Sequence, residues 1–228
     1  MNATKRILKD YRILDSNKED LNKRNVHFHI DQNNINVLKV LIIPNEEPYK
    51  GGVFLFEFFF PADYPIMPPQ VLFNPKQNYV RFHPNYYENG KICLSMINTW
   101  GQEDWTPAMS ILSIINVLES RFDDKSIRYE PGMEKAQFGV INNNNEIIKY
   151  GKYLVLCDIL EKKFNIFSEF YDIIKQYHAN IQNIISELPD HEVIKRTQTP
   201  WFHSVDIDYK LIRNRLIQII QETSFKTS

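Results

Sequence analysis

Cys93 and Asn85 stand on either side of one tight turn in the segment His83-Pro84-Asn85-Tyr86-Tyr87-Glu88-Asn89-Gly90-Lys91-Ile92-Cys93-Leu94. Asn89 and Gly90 both tolerate positive φ, so the chain is expected to fold back there and bring the Asn85 carboxamide near the Cys93 sulfur. A thiolate is a nucleophile and an amide NH2 is a donor for a developing oxyanion, so the pair suits acyl transfer. The residues alone leave a second reading open, because free cysteine is among the most buried residue types and is then inert.

The elements that must hold this segment are legible on either side of it. Residues 4–15 place Ile7, Leu8, Tyr11 and Leu14 on one helical face, with Lys5, Arg6, Lys9 and Arg12 around the rest. Val26, Phe28 and Ile30 alternate with His27 and His29, and β-branched or aromatic runs follow at 37–43, 53–60 and 71–73. Short turns between them predict a four-stranded antiparallel meander. Residues 75–104 read as irregular structure, which in a compact domain is usually functional. Pro107 suits the first turn of a central helix whose buried face is Ile111, Ile114, Ile115 and Leu118. The polar tract 142–145 marks a boundary between a core, 1–143, and a helical extension, 144–228. In the extension, helices are expected over 146–162, 164–188 (ended by Pro189) and 208–222, packing on the core or on one another. The fold class is α+β, a four-stranded antiparallel sheet flanked by helices with a helical C-terminal extension.

Composition narrows the function. The chain has 228 residues, 43% of them apolar, enough for a buried core, and its net charge of −1 without a basic stripe argues against nucleic acid as a partner. Cys93 and Cys157 are the only cysteines and lie in a turn exit and a helical pattern, so no disulfide is expected and a reducing compartment, cytoplasm or nucleus, fits. Cys157, at helical spacing with Leu154 and Leu160, reads as core. No apolar run is long enough for a membrane span and no secretory h-region opens the chain. His27 and His29 are expected to face solvent, without the further ligands a metal needs. A glycine-rich phosphate loop is absent, so no cofactor is implied and any ATP-using step belongs to another protein.

In order along the chain, Tyr49-Lys50-Gly51-Gly52-Val53-Phe54, Phe60-Pro61-Ala62-Asp63-Tyr64-Pro65-Ile66-Met67-Pro68-Pro69, His83-Pro84-Asn85, Cys93-Leu94 and Trp105-Thr106-Pro107-Ala108 resemble the ubiquitin-conjugating enzyme family. Cys93-Leu94-Ser95, the lengthened Asn98-Thr99-Trp100 loop and Tyr129-Glu130-Pro131-Gly132-Met133-Glu134 are most similar to class Z, whose members carry a C-terminal helical extension. The resemblance implies that Cys93 carries ubiquitin or a ubiquitin-like modifier as a thioester and that Asn85 serves the oxyanion or the loop. It implies that His83 and Pro84 are structural. Lys5, Arg6 and Lys9 would meet the activating enzyme, and Ile66, Pro107 and Ala108 a ligase. Many members place an aspartate near the end of the central helix to prepare the acceptor lysine. Ungapped counting reaches Tyr129 here, with Asp123 and Asp124 offset, so the acceptor-activating residue stays open.

Overall fold

Period-two alternation carries through to the sheet. In a computed structural model, which describes residues 2–74, 80–101, 104–163, 165–189, 195–198, 201 and 204–224, four strands pair antiparallel in chain order. They are β1 (Val26–Ile30), β2 (Val37–Ile42), β3 (Phe54–Phe59) and β4 (Gln70–Phe73). The register sets Val40 opposite Phe56 and Phe56 opposite Phe73, which puts Phe54, Phe56 and Phe58 on the core face. There the Phe54 and Phe56 rings meet Phe73, Phe82, Tyr86 and Phe122 at centroid distances from 4.7 to 6.4 Å.

Helix α1 (Ala3–Ser16) buries Ile7, Asp10, Tyr11 and Leu14. Leu8, expected on that face, is 40% exposed, and Asp10 is buried instead because it has partners there. A short α2 (Lys18–Lys23) follows, not foreseen from the sequence. The central helix α3 (Ile111–Ser120) buries the expected four apolar residues, but it begins after Pro107. Ser110 is its N-cap, with the side chain accepting the Ser113 N–H at 3.2 Å, and Pro107 lies in the turn before it.

The C-terminal half departs further from the periodicity. The tract 142–145 is not a linker; it lies inside α4 (Phe138–Leu160), so the chain has no break at 143/144. Asn144 is buried and the Asn145 side chain donates to the Asp124 carbonyl at 2.9 Å, contacts that hold poor helix formers in a helix. The helix then runs tight against residues 80–82: a Cβ on Gly151 would sit 2.5 Å from Val80 Cγ2. Lys152, 2% exposed, donates to the Lys50 carbonyl at 2.7 Å, and burial lowers it to about 8. The single helix expected over 164–188 is three pieces: a 3-10 segment (Asn165–Phe170), α5 (Tyr171–Tyr177) and α6 (Ile181–Glu187). Asn180 restarts the helix by accepting the Asn183 N–H. A hairpin of β5 (Lys195–Gln198) and β6 (Ser204–Ile207), unforeseen, leads to α7 (Tyr209–Ser224).

This half covers the outer face of the sheet. His27 and His29 are half-buried, not solvent-facing: the Phe170 ring lies 6.5 Å from His29, and Glu169 pairs with Lys39 at 2.5 Å. Leu41 and Leu55, on the same face, are fully buried. On the flank, the His178 imidazole lies close against Gly51, and burial lowers it to about 4.

Two outcomes are expected. Gly151→Ala gains helix propensity of about 1 kcal/mol but overpacks a stiff β-branched neighbour, which costs about 1–3 kcal/mol. Urea denaturation should show net destabilisation, and a more stable variant would contradict the close approach. His178 is neutral in the fold down to about pH 4 but takes a proton near pH 6.5 when unfolded, so stability is present above pH 6.5 and falls as the pH drops toward 4. The loss amounts to about 3 kcal/mol, and melts of His178→Gln between pH 7 and pH 4 should have a shallower slope than those of the parent.

Candidate active site

The turn builds a small ribbon. Gly90 has φ 86°, and Tyr86 bridges to Ile92 across it. The Cys93 N–H donates to the Asn85 carbonyl at 2.9 Å and the Tyr87 N–H to the Lys91 carbonyl at 2.9 Å. Alternation then divides the side chains: Tyr86 and Ile92, each 1% exposed, point into the core, and Asn85, Tyr87, Lys91 and Cys93 share the opposite face. The expected meeting of Asn85 and Cys93 is thus a direct cross-strand pair.

Asn85 does not cap this turn; Asn89 does, its Oδ1 accepting the Lys91 N–H at 3.1 Å. The Asn85 Oδ1 is buried and has no hydrogen-bond partner among the described residues. His83 accepts the Asn85 N–H on Nδ1 at 3.0 Å. Burial, then the charges of Arg121 and Arg81, hold its imidazole well below the ordinary histidine value, so it is neutral at pH 7. It orients the Asn85 backbone and is not arranged as the base of a Cys/His dyad. The Pro84 carbonyl accepts from Arg81 at 2.5 Å.

Tyr87 is the site residue that sequence reasoning missed. It lies diagonally across the ribbon from Cys93, within reach for an aromatic side chain. The Cys93 side chain beside it, then burial, raises its phenol above the ordinary tyrosine value. Counting back in twos from Cys93 through the Asn89-Gly90 turn would have found it. Cys93 itself is 2% exposed, recessed in this face. Cys157 is fully buried in α4, and burial pushes its thiol up to about 12.

Of the candidates for the acceptor wall, Tyr129 packs against His83 at 5.2 Å and under the Arg121 guanidinium at 4.4 Å. Its neighbour Glu130 pairs with Arg81 at 3.5 Å and acts on Tyr87. Asp123 caps a turn through the Lys125 N–H at 2.7 Å, and Asp124 is exposed.

The surface candidates fall on one hub. Lys5 and Lys9 are exposed, but Arg6 is turned inward. It pairs with buried Asp10 at 2.9 Å and donates to the Pro107 carbonyl at 2.5 Å and to that of Met109. Ile66 is 66% exposed, Pro107 and Ala108 are exposed as well, and the Trp105 indole N–H ties their two loops by donating to the Pro65 carbonyl at 2.9 Å. Among the described residues no group of three or more His, Cys, Asp or Glu could hold a metal, and no helix is long and apolar enough to cross a membrane.

The sequence profile of the family described as ubiquitin-conjugating enzyme matches residues 6–150. Ubiquitin-conjugating enzyme E2 Z of Danio rerio is 41% identical over 143 residues, 57% of this chain and 44% of that protein. Probable ubiquitin-conjugating enzyme protein 17 of Caenorhabditis elegans is 32% identical over 216 residues, 85% of this chain and 29% of that protein. The chain therefore spans less than half the length of these curated relatives. A solved ubiquitin conjugating enzyme E2 from Plasmodium falciparum is 28% identical, with a TM-score of 0.45, covering 52% of this chain and 82% of its own.

The two cysteines should separate chemically. Iodoacetamide at neutral pH, read by peptide mass spectrometry on the native protein, should label Cys93 and spare Cys157; labelling of Cys157 first would contradict this assignment.

Proposed function

Because the chain belongs to the ubiquitin-conjugating enzyme family and is related to class Z within it, we propose that it accepts ubiquitin, or a ubiquitin-like modifier, from an activating enzyme as a Cys93 thioester. It then passes the acyl group to a lysine amine or a ligase cysteine. The observation that carries this reading is the cross-strand pairing of Cys93 with Asn85, with the Cys93 N–H 2.9 Å from the Asn85 carbonyl.

The chemistry follows from the residue types. Attack of a thiolate on a thioester is nearly isoenergetic, so the acyl group stays activated when Cys93 takes it. When an amine attacks in turn, negative charge develops on the carbonyl oxygen, and the Asn85 NH2 is the donor for it. His83, neutral and fixed by the Asn85 N–H, holds that residue in place. Tyr129 and Glu130 form the wall along which an acceptor lysine loses solvent before it attacks.

Partners dock by surface chemistry. Lys5 and Lys9 on α1 meet the activating enzyme, and Arg6 serves that face by tying α1 to the loop at 107–109. Ile66, Pro107 and Ala108 offer a ligase an apolar platform. The chain after α4 selects among activating enzymes or ligases and stays outside the bond-making. The protein acts in the cytoplasm or nucleus, the reducing compartments that suit two unpaired cysteines.

The test is charging. With activating enzyme, ATP and ubiquitin or a related modifier, the protein should gain a conjugate that thiol reductant removes. Cys93→Ser should yield at most a reductant-resistant ester, and Cys157→Ser should still charge. Asn85→Ala should fold and charge but discharge to lysine about a hundredfold more slowly. Normal charging of Cys93→Ala would refute the proposal.

A further inference from the structure

Arg121 is a half-buried cation whose side chain makes no ion pair or hydrogen bond among the described residues. Its Nε is buried unpaired, an arrangement that costs stability and calls for a reason. What the guanidinium meets is the Tyr129 ring, with its carbon 4.4 Å from the centroid. Tyr129 in turn packs against His83 at 5.2 Å, and the buried Tyr86 ring packs against the same imidazole at 4.8 Å. Both rings are tied to the end of α3: Arg121 is its C-cap, and the Tyr86 hydroxyl donates to the Leu118 carbonyl at 2.9 Å. His83 Nδ1 accepts the Asn85 N–H at 3.0 Å, which leaves the hydrogen of the neutral ring on Nε2. Nε2 is buried without a hydrogen-bond partner among the described residues. With a single hydrogen bond to the imidazole, ring packing is what sets the angle at which Nδ1 meets the Asn85 N–H.

We propose that Arg121 is a positioning residue for Asn85: stacked on Tyr129, it holds that ring on the His83 imidazole and so keeps Nδ1 on the Asn85 N–H. Its charge works in the same direction. After burial, the charges of Arg121 and Arg81 keep the imidazole neutral, and only a neutral ring has a lone pair on Nδ1 to accept with. The consequence for transfer rests on the thioester reading above. When an amine nitrogen attacks the thioester carbon, a C–N bond forms and negative charge gathers on the carbonyl oxygen. The C–S bond then breaks with its electron pair on Sγ, and the amine proton leaves to solvent. The Asn85 NH2 is the donor for that oxygen, and a backbone free to shift at Asn85 takes the donor off its target. Arg121 acts on this step only through Tyr129 and His83.

Two measurements on the full chain test this. The first needs no modifier: amide hydrogen exchange at neutral pH, read by NMR. In Arg121→Gln the Asn85 N–H should exchange about tenfold faster than in the parent, the size of one hydrogen bond, while the amides inside α3 keep their parent rates. The second is single-turnover discharge of the Cys93 thioester to free lysine. Arg121→Gln should discharge about tenfold more slowly, with charging by the activating enzyme unchanged. Placed on Asn85→Ala, it should slow discharge no further, because it works through that residue. An unmoved Asn85 exchange rate, effects that multiply in the double variant, or charging that falls in step with discharge each overturn the proposal. Thermal melts check folding. If Arg121→Gln unfolds, Tyr129→Leu, which removes the ring between Arg121 and His83, carries the exchange test with the same expected and overturning results. A parent that fails to charge would sink the thioester reading and leave the exchange rates to decide this inference. An unmoved Asn85 exchange rate in a protein that charges would sink this inference alone.

Discussion

The hydrogen bond from the buried Tyr86 hydroxyl to the Leu118 carbonyl, 2.9 Å long, is the fixed point of the site. It joins a segment with almost no regular sheet to the last turn of α3, where carbonyls run short of helical donors. Burial pushes that hydroxyl well above the ordinary tyrosine value, so it stays protonated and donating. The ring stacks on Phe73 at 5.5 Å and meets Phe56 at 5.3 Å and His83 at 4.8 Å. With Tyr86 held inward, the pleat leaves its neighbours Asn85 and Tyr87 no choice but the outer face, beside Cys93. One anchored residue therefore orients the Asn85 carboxamide, the Cys93 thiol and the Tyr87 phenol together.

A second constraint couples the partner-facing surfaces. The Asp10 carboxylate, 1% exposed, accepts from Arg6 at 2.9 Å and from the Tyr64 hydroxyl at 2.6 Å. The Tyr64 ring lies 6.1 Å from Trp105, whose indole holds the Pro65 carbonyl, one residue before exposed Ile66. Removing one partner of a buried ion pair typically costs about 3–5 kcal/mol, whereas an exposed pair is worth about 1 kcal/mol or less. Arg6 thus belongs to the framework, and the exposed charge on α1 is left to Lys5 and Lys9. The same hub fixes α1, the Ile66 loop and the Pro107 loop relative to each other, so surfaces proposed to meet two different partners share one rigid base.

The C-terminal half is bound into this framework through side chains. Lys39 with Glu169 and His29 with Phe170 close the outer face of the sheet, and Arg215 of α7 pairs with Asp158 of α4 and with Glu161 just after it. Apolar residues of both halves form one continuous buried cluster. The sheet is consequently covered on both faces, and Trp201 meets Arg81 from beyond residue 150, where the family profile ends.

What could be read in advance had local causes. Strand alternation, the Asn89-Gly90 turn and the helical spacing of Ile111, Ile114, Ile115 and Leu118 depend on neighbours within a few residues, so the meander, the central helix and the pairing of Asn85 with Cys93 were determined by the sequence itself. The rest depended on partners far along the chain. Asn144 and Asn145 are polar and helix-poor by type, yet burial and the Asp124 carbonyl keep them in α4. Arg6 is basic on an amphipathic helix, yet Asp10 and the carbonyls of the 107–109 loop draw it inward. His27 and His29 alternate with core residues as solvent-facing side chains do, yet Phe170 and Glu169 arrive to cover their face. Periodicity reports which side of an element a residue occupies. What stands on that side is settled by tertiary packing, because desolvation and pairing of a charge or a ring depend on contacts that no local pattern encodes.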